Sequence, residues 1–133
     1  MNKCFFALAT LLLFSFATPA EAQKKVNGKA VTEIKEWRME GGKKKIDHVT
    51  KYDANGNKTE EIEYSKVGDQ KSRTTFVYNE NGKCTEEKHF DEYNKLEKTV
   101  QYQYNEFGKK QSARTLLPNG KLKSEKVYEY ITE

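Results

Sequence analysis

The chain has 133 residues, 33% of them charged, with 24 Lys and Arg against 20 Asp and Glu, a net charge of +4 and a mean hydropathy of −0.97. The signs are interleaved, as in Lys121-Leu122-Lys123-Ser124-Glu125-Lys126, which makes a solvated surface and excludes the basic block of a nucleic-acid footprint. Two cysteines and two histidines are too few for a disulfide framework or a spaced zinc motif.

Residues 1–22 are predicted to form a secretory signal peptide. Lys3 gives a positive start, Phe5 to Phe16 is almost unbroken apolar chain, and Ala20-Glu21-Ala22 is an A-x-A cleavage site. The apolar run is well short of the ~20 residues a spanning helix needs, so no membrane span is expected. Cys4 precedes the apolar run, which argues against a lipid-anchor site. Residues 23–133 are expected to form one exported domain, periplasmic or secreted. Cys84 is the one cysteine in that stretch, so no internal disulfide can form, and it reads as a half-buried small hydrophobe rather than a reactive thiol.

After this segment, Asn27-Gly28-Lys29 leads through Trp37 and Met39 to a Gly41-Gly42 turn. Val31, Ile34 and Trp37 also fit a helix face, but analogy with the downstream chain favours strand, as a degenerate first unit. That downstream chain is periodic. Tyr52, Tyr78, Tyr104 and Tyr130 recur every 26 residues, and Tyr64, Phe90 and Leu116 run in step with them. A fixed period of this length marks stacked supersecondary units.

Gly56, Gly68, Gly82, Asn94, Gly108 and Gly120 divide each unit into 12 and 14 residues. Each ends a four-residue turn, such as Asn79-Glu80-Asn81-Gly82. Asp, Asn or Ser usually stands at the first position, and Gly or Asn, which tolerate positive φ, at the last. A type I turn with a glycine bulge pairs Tyr78 with Cys84, Tyr52 with Lys58, Phe90 with Leu96 and Leu116 with Leu122. Simple alternation from those pairs puts Ile62, Tyr64, Phe76, Tyr78, Phe90, Val100, Tyr102, Tyr104, Tyr128 and Tyr130 on one aromatic face. Glu61, Glu63, Arg73, Thr75, Thr99, Gln101, Gln103 and His89 then fall on a wet face.

The expected fold is all-β: an antiparallel meander of about eight strands, as an open twisted single-layer sheet. A small closed barrel is the alternative, but Lys58, Glu60, Glu86, Lys88, Lys98, Lys110, Arg114 and Lys126 share the aromatic parity, and so many charges suit a narrow interior poorly.

The words Tyr52-Asp53-Ala54-Asn55-Gly56 and Tyr78-Asn79-Glu80-Asn81-Gly82-Lys83 resemble the YD repeats of bacterial Rhs-type proteins. Leu117-Pro118-Asn119-Gly120-Lys121-Leu122-Lys123-Ser124-Glu125 is similar to the repeats of MORN-like, YwqK-type antitoxins. The layout is similar to that of small secreted gut-bacterial proteins of unknown function. The resemblance spans roughly residues 52–131 and implies a β-hairpin repeat scaffold without catalysis, with no catalytic residues to transfer.

The residues agree with that expectation. His48 and His89 fall on separate strands, and Glu60-Glu61 and Glu86-Glu87 point to opposite faces in pairs, so neither set converges on a metal. No phosphate loop, nucleophile elbow or triad word is present, and no cofactor is expected. Asn57-Lys58-Thr59 matches a glycosylation sequon and carries little weight in a bacterial setting. The remaining candidate is an interaction face of Tyr64, Tyr78, Tyr102, Tyr104, Tyr128 and Tyr130. The function expected is a non-enzymatic exported protein binding a protein or cell-envelope partner. The alternatives are a carbohydrate-binding module using the tyrosine face, and self-association through that face.

Overall fold

The computed structural model describes residues 24–133; the expected signal peptide lies outside the described residues. A short hairpin comes first, β1 (Lys25–Val26) and β2 (Lys29–Ala30), turning through Asn27 and Gly28. Eight further strands form one antiparallel sheet: β3 (Glu33–Glu40), β4 (Lys43–Tyr52), β5 (Lys58–Tyr64), β6 (Gln70–Tyr78), β7 (Cys84–Phe90), β8 (Leu96–Tyr104), β9 (Lys110–Leu116) and β10 (Leu122–Val127). They pair strictly in chain order, and β3 and β10 are the two open edges. The sheet is an open meander and not a barrel. Ile34 and Trp37 lie in β3, so the strand reading of that segment holds.

The turns follow from their residues. Asn79 N–H donates to the Lys83 carbonyl at 2.9 Å and Gly82 N–H to the Asn79 carbonyl at 3.0 Å, which closes a three-residue loop with glycine at its left-handed position, φ 71°. The Asn79 side chain holds this loop by accepting from the N–H groups of Asn81 and Lys83. Asp53, Asp91 and Asn105 repeat both contacts in their own loops. The four predicted pairs, Tyr52–Lys58, Tyr78–Cys84, Phe90–Leu96 and Leu116–Leu122, all occur.

One residue beyond each pair, the register slips again. Tyr78 faces Cys84, but Val77 faces Glu86, which leaves Thr85 unpaired. The same slip follows Tyr52–Lys58, Tyr64–Gln70, Phe90–Leu96, Tyr104–Lys110 and Leu116–Leu122. Each repeat hairpin therefore carries a second bulge, and β5, β7 and β9 change face after their first residue.

This corrects the single aromatic face expected from simple alternation. Phe76 faces Glu87, whereas Phe90 faces Arg73 and Ile62 faces both Val49 and Arg73. Tyr52, Phe76, Tyr78, Val100, Tyr102 and Tyr104 share one face with Glu61, Glu63 and His89. Ile62, Tyr64 and Phe90 lie on the other with Glu60, Arg73, Thr75 and Gln101. We call these the tyrosine face and the arginine face.

The physical reason is the missing second layer. Register is strongly specified only where one face is buried, and here the two buried apolar residues, Val49 and Ala113, sit on opposite faces. No large side chain is fully buried among the described residues. A bulge at every hairpin adds local right-handed twist, which a flat uncovered sheet lacks.

Cover comes instead from within each face. The Arg73 guanidinium lies 4.8 Å from the Phe90 ring centre, Lys58 4.8 Å from Phe76, Lys110 4.1 Å from Tyr102 and Lys44 4.3 Å from Trp37. Long cationic stems over aromatic rings replace part of an absent core, each such contact contributing roughly 0.5–1 kcal/mol at exposed sites.

Candidate interaction face

The bulges decide where the tyrosine hydroxyls go. A bulge leaves backbone groups without ladder partners, and the residue preceding each bulge in β5, β7 and β9 is Lys58, Cys84 or Lys110. The Lys58 carbonyl accepts from the Tyr78 hydroxyl at 2.7 Å, the Cys84 carbonyl from Tyr104 at 2.5 Å, and the Lys110 carbonyl from Tyr130 at 2.7 Å. Each donor stands 20 residues after its acceptor. Three of the four tyrosines in the 26-residue series are thus staples, each tying one hairpin to the chain that follows it across the tyrosine face.

Tyr102 is tied differently. Its hydroxyl donates to Glu87 Oε1 at 3.1 Å, and Glu87 Oε2 meets His89 Nε2 at 3.2 Å, while His89 Nδ1 meets the Thr74 hydroxyl at 3.3 Å. Burial, then the Glu87 charge, raises the Tyr102 phenol above its ordinary value and keeps it a donor. One carboxylate therefore bridges β7 and β8. Glu61, one repeat earlier, bridges to the preceding strand instead, meeting His48 of β4 at 2.8 Å and Lys58 of its own strand at 2.6 Å. Burial by itself would raise the Glu61 carboxyl, but Lys58 and His48 outweigh it and hold it below the usual range.

On the arginine face Glu60 lies between Lys51, 2.7 Å away, and Arg73, 3.0 Å away. Burial opposes its ionisation, and the hydrogen bonds from those two cations prevail, so its carboxyl also sits low. Glu60 and Glu61 point to opposite faces, as adjacency in a strand requires, and each carboxylate is engaged by cations.

Cys84, Glu87, His89 and Tyr102 share the tyrosine face, a grouping that simple alternation missed because it put His89 on the other side. They do not make a nucleophile site. Burial and the Glu87 charge push the Cys84 thiol up, the opposite of activation. His89 follows Cys84 by five residues in one strand, about 16 Å along it, far outside hydrogen-bond reach. No group of three or more His, Cys, Asp and Glu is placed to hold a metal ion among the described residues.

The predicted interaction residues separate into three groups. Tyr78, Tyr102 and Tyr104 lie together on the tyrosine face, half-buried, with their hydroxyls engaged. Tyr64 lies on the arginine face. Tyr128 and Tyr130 continue the chain past β10 and are 39% and 50% exposed, beside Val127 at 76% and Ile131 at 84%. Tyr128 N–H still donates to the Gln111 carbonyl at 3.1 Å, so the segment remains against β9. No helix long and apolar enough to cross a membrane occurs among the described residues.

No protein-family model matches the chain, and no curated protein matches it. Among solved structures the chain is similar to part of a GtfA/B complex bound to UDP and GlcNAc, with a TM-score of 0.29, 13% identity, and 59% of this chain and 19% of that one covered. It is also similar to part of an S. aureus TarM mutant in complex with Fondaparinux, alpha-GlcNAc-glycerol and UDP, with a TM-score of 0.31, 18% identity, and 72% and 20% covered. The chain spans about a fifth of the length of each. Likeness at this level carries no argument about function.

Proposed function

We propose that this is an exported, non-enzymatic β-repeat protein that binds a protein or cell-envelope partner. The observation that carries the reading is the uncovered sheet: no large side chain is fully buried among the described residues, and Tyr128, Tyr130, Val127 and Ile131 are exposed together at the β10 end. Aromatic side chains grouped on an accessible surface are the usual anchors of recognition. The engaged carboxylates and the raised thiol support a binding role over a chemical one.

Binding of the labelled protein to a cell-envelope fraction tests this. Tyr128→Ser with Tyr130→Ser should weaken saturable binding by about tenfold or more, and Glu86→Ser with Gln101→Ser on the arginine face should change it less than about twofold. Equal losses from both pairs, with folding intact, would refute a tyrosine-face contact. A second reading, as a carbohydrate-binding module, draws support from the neutral amides and aromatic rings gathered around three turns at one end of the sheet.

A further inference from the structure

The turns 53–57, 79–83 and 105–109 lie side by side at the same end of the sheet, because β4–β5, β6–β7 and β8–β9 all reverse there. A shallow hollow runs across them, lined among others by Asn55, Asn57, Asn81, Tyr104 and Phe107. Asn55, Asn81 and Phe107 hold the same place in successive units, 26 residues apart. The left-handed glycines Gly82 and Gly108 also line it and present bare backbone there.

Three features restrict what can lie there. Successive turns are two strands apart, about 9.5 Å, so the hollow offers one contact per turn at a regular spacing across the hairpins. That spacing is close to the length of one disaccharide unit of an extended β-1,4-linked chain. Phe107 is 79% exposed although it is a large ring, which leaves a face open for the C–H side of a sugar. The charged residues of the lining are Glu80, Glu106 and Lys83, net −1, which disfavours an anionic polymer and leaves neutral amides as the main polar contacts.

We propose that this hollow binds a neutral, linear, β-1,4-linked glycan laid across the hairpins, perpendicular to the strands. Asn55 and Asn81 hydrogen-bond successive hydroxyls or acetamido groups, and Phe107 supplies the stacking platform at one end. The proposal rests on the carbohydrate reading above and deepens it by naming the site and the ligand class. It places the contact at the turns rather than on the stapled tyrosine rings. The hollow spans two turn spacings, enough for a tetrasaccharide.

Calorimetric titration of the full chain with cello- and chito-oligosaccharides of increasing length tests this. Affinity should rise about tenfold from disaccharide to tetrasaccharide and then level off. Phe107→Ala should abolish binding while leaving the melting temperature unchanged, since the ring packs on little. Asn81→Ala should weaken it about tenfold, and Tyr128→Ser should have no effect. No heat from any oligosaccharide at millimolar concentration, or binding that Phe107→Ala leaves intact, overturns the proposal. If the envelope fraction binds through Tyr128 and Tyr130 and no oligosaccharide does, the glycan site alone has failed.

Discussion

Single residues carry the turn geometry and the electrostatic cross-links. At Gly82 nothing lies within 4 Å of an added Cβ, so the whole cost of a substitution is its φ of 71°. Gly82→Val should therefore cost ~1–3 kcal/mol, read as a lower melting temperature, and Glu80→Val in the same loop almost nothing. Equal melts for the two variants would count against the left-handed loop. Glu60 and Glu61 give the pH dependence its sign. Their folded-state carboxyls lie below their ordinary value of 4.5, so their contribution is fully present above about pH 4.5 and is lost as pH falls through the folded values. Thermal stability should decline below that pH, and Glu60→Gln should show a shallower decline. A variant as acid-sensitive as the parent would remove Glu60 from the explanation.

At the level of elements, the strands and turns were legible in the sequence and the faces were only half so. The four-residue turn words act locally, so they give the loop type and the four first pairs Tyr52–Lys58, Tyr78–Cys84, Phe90–Leu96 and Leu116–Leu122. The second bulge is different, because no residue type demands it. Thr59, Thr85 and Gln111 occupy the bulge in one half-unit and Lys71, Glu97 and Lys123 in the other. None is a glycine, and the one regularity was their shared repeat position. Parity reasoning presupposes a buried face, and with Val49 and Ala113 on opposite sides there was none to anchor it. Parity alone therefore groups Tyr64 with the wrong face and separates Glu87 and His89 from Tyr102. Deleting Thr85 restores simple alternation in β7 with Glu86 still opposite Val77 and Phe90 still opposite Arg73, so it removes only the extra twist and the Cys84 carbonyl geometry that Tyr104 uses. The expected outcome is a loss of stability well beyond that of Thr85→Ala, measured by denaturant unfolding. Similar midpoints for the two variants would show that the bulge is dispensable.

The tyrosine staples link the elements into a whole. Tyr104→Phe removes the hydroxyl that serves the Cys84 carbonyl and should cost about 1 kcal/mol. Tyr130→Phe should cost less, since its end of the sheet is exposed to water. Because each hairpin contacts only its neighbours, both losses should act locally, loosening amide protection around the affected hairpin before the rest of the sheet.

At the scale of the molecule, an eight-stranded sheet one layer thick leaves both faces and both edges accessible, and its tyrosine face has its most exposed rings beyond β10. This end is the contact site proposed above for a partner. Hydroxyl-radical footprinting in the presence and absence of a saturating cell-envelope fraction tests that most directly. Protection of Tyr128 and Tyr130 is expected, with Tyr64 and Phe90 on the arginine face unchanged. Protection confined to the arginine face, or no protection anywhere under saturating conditions, would contradict it.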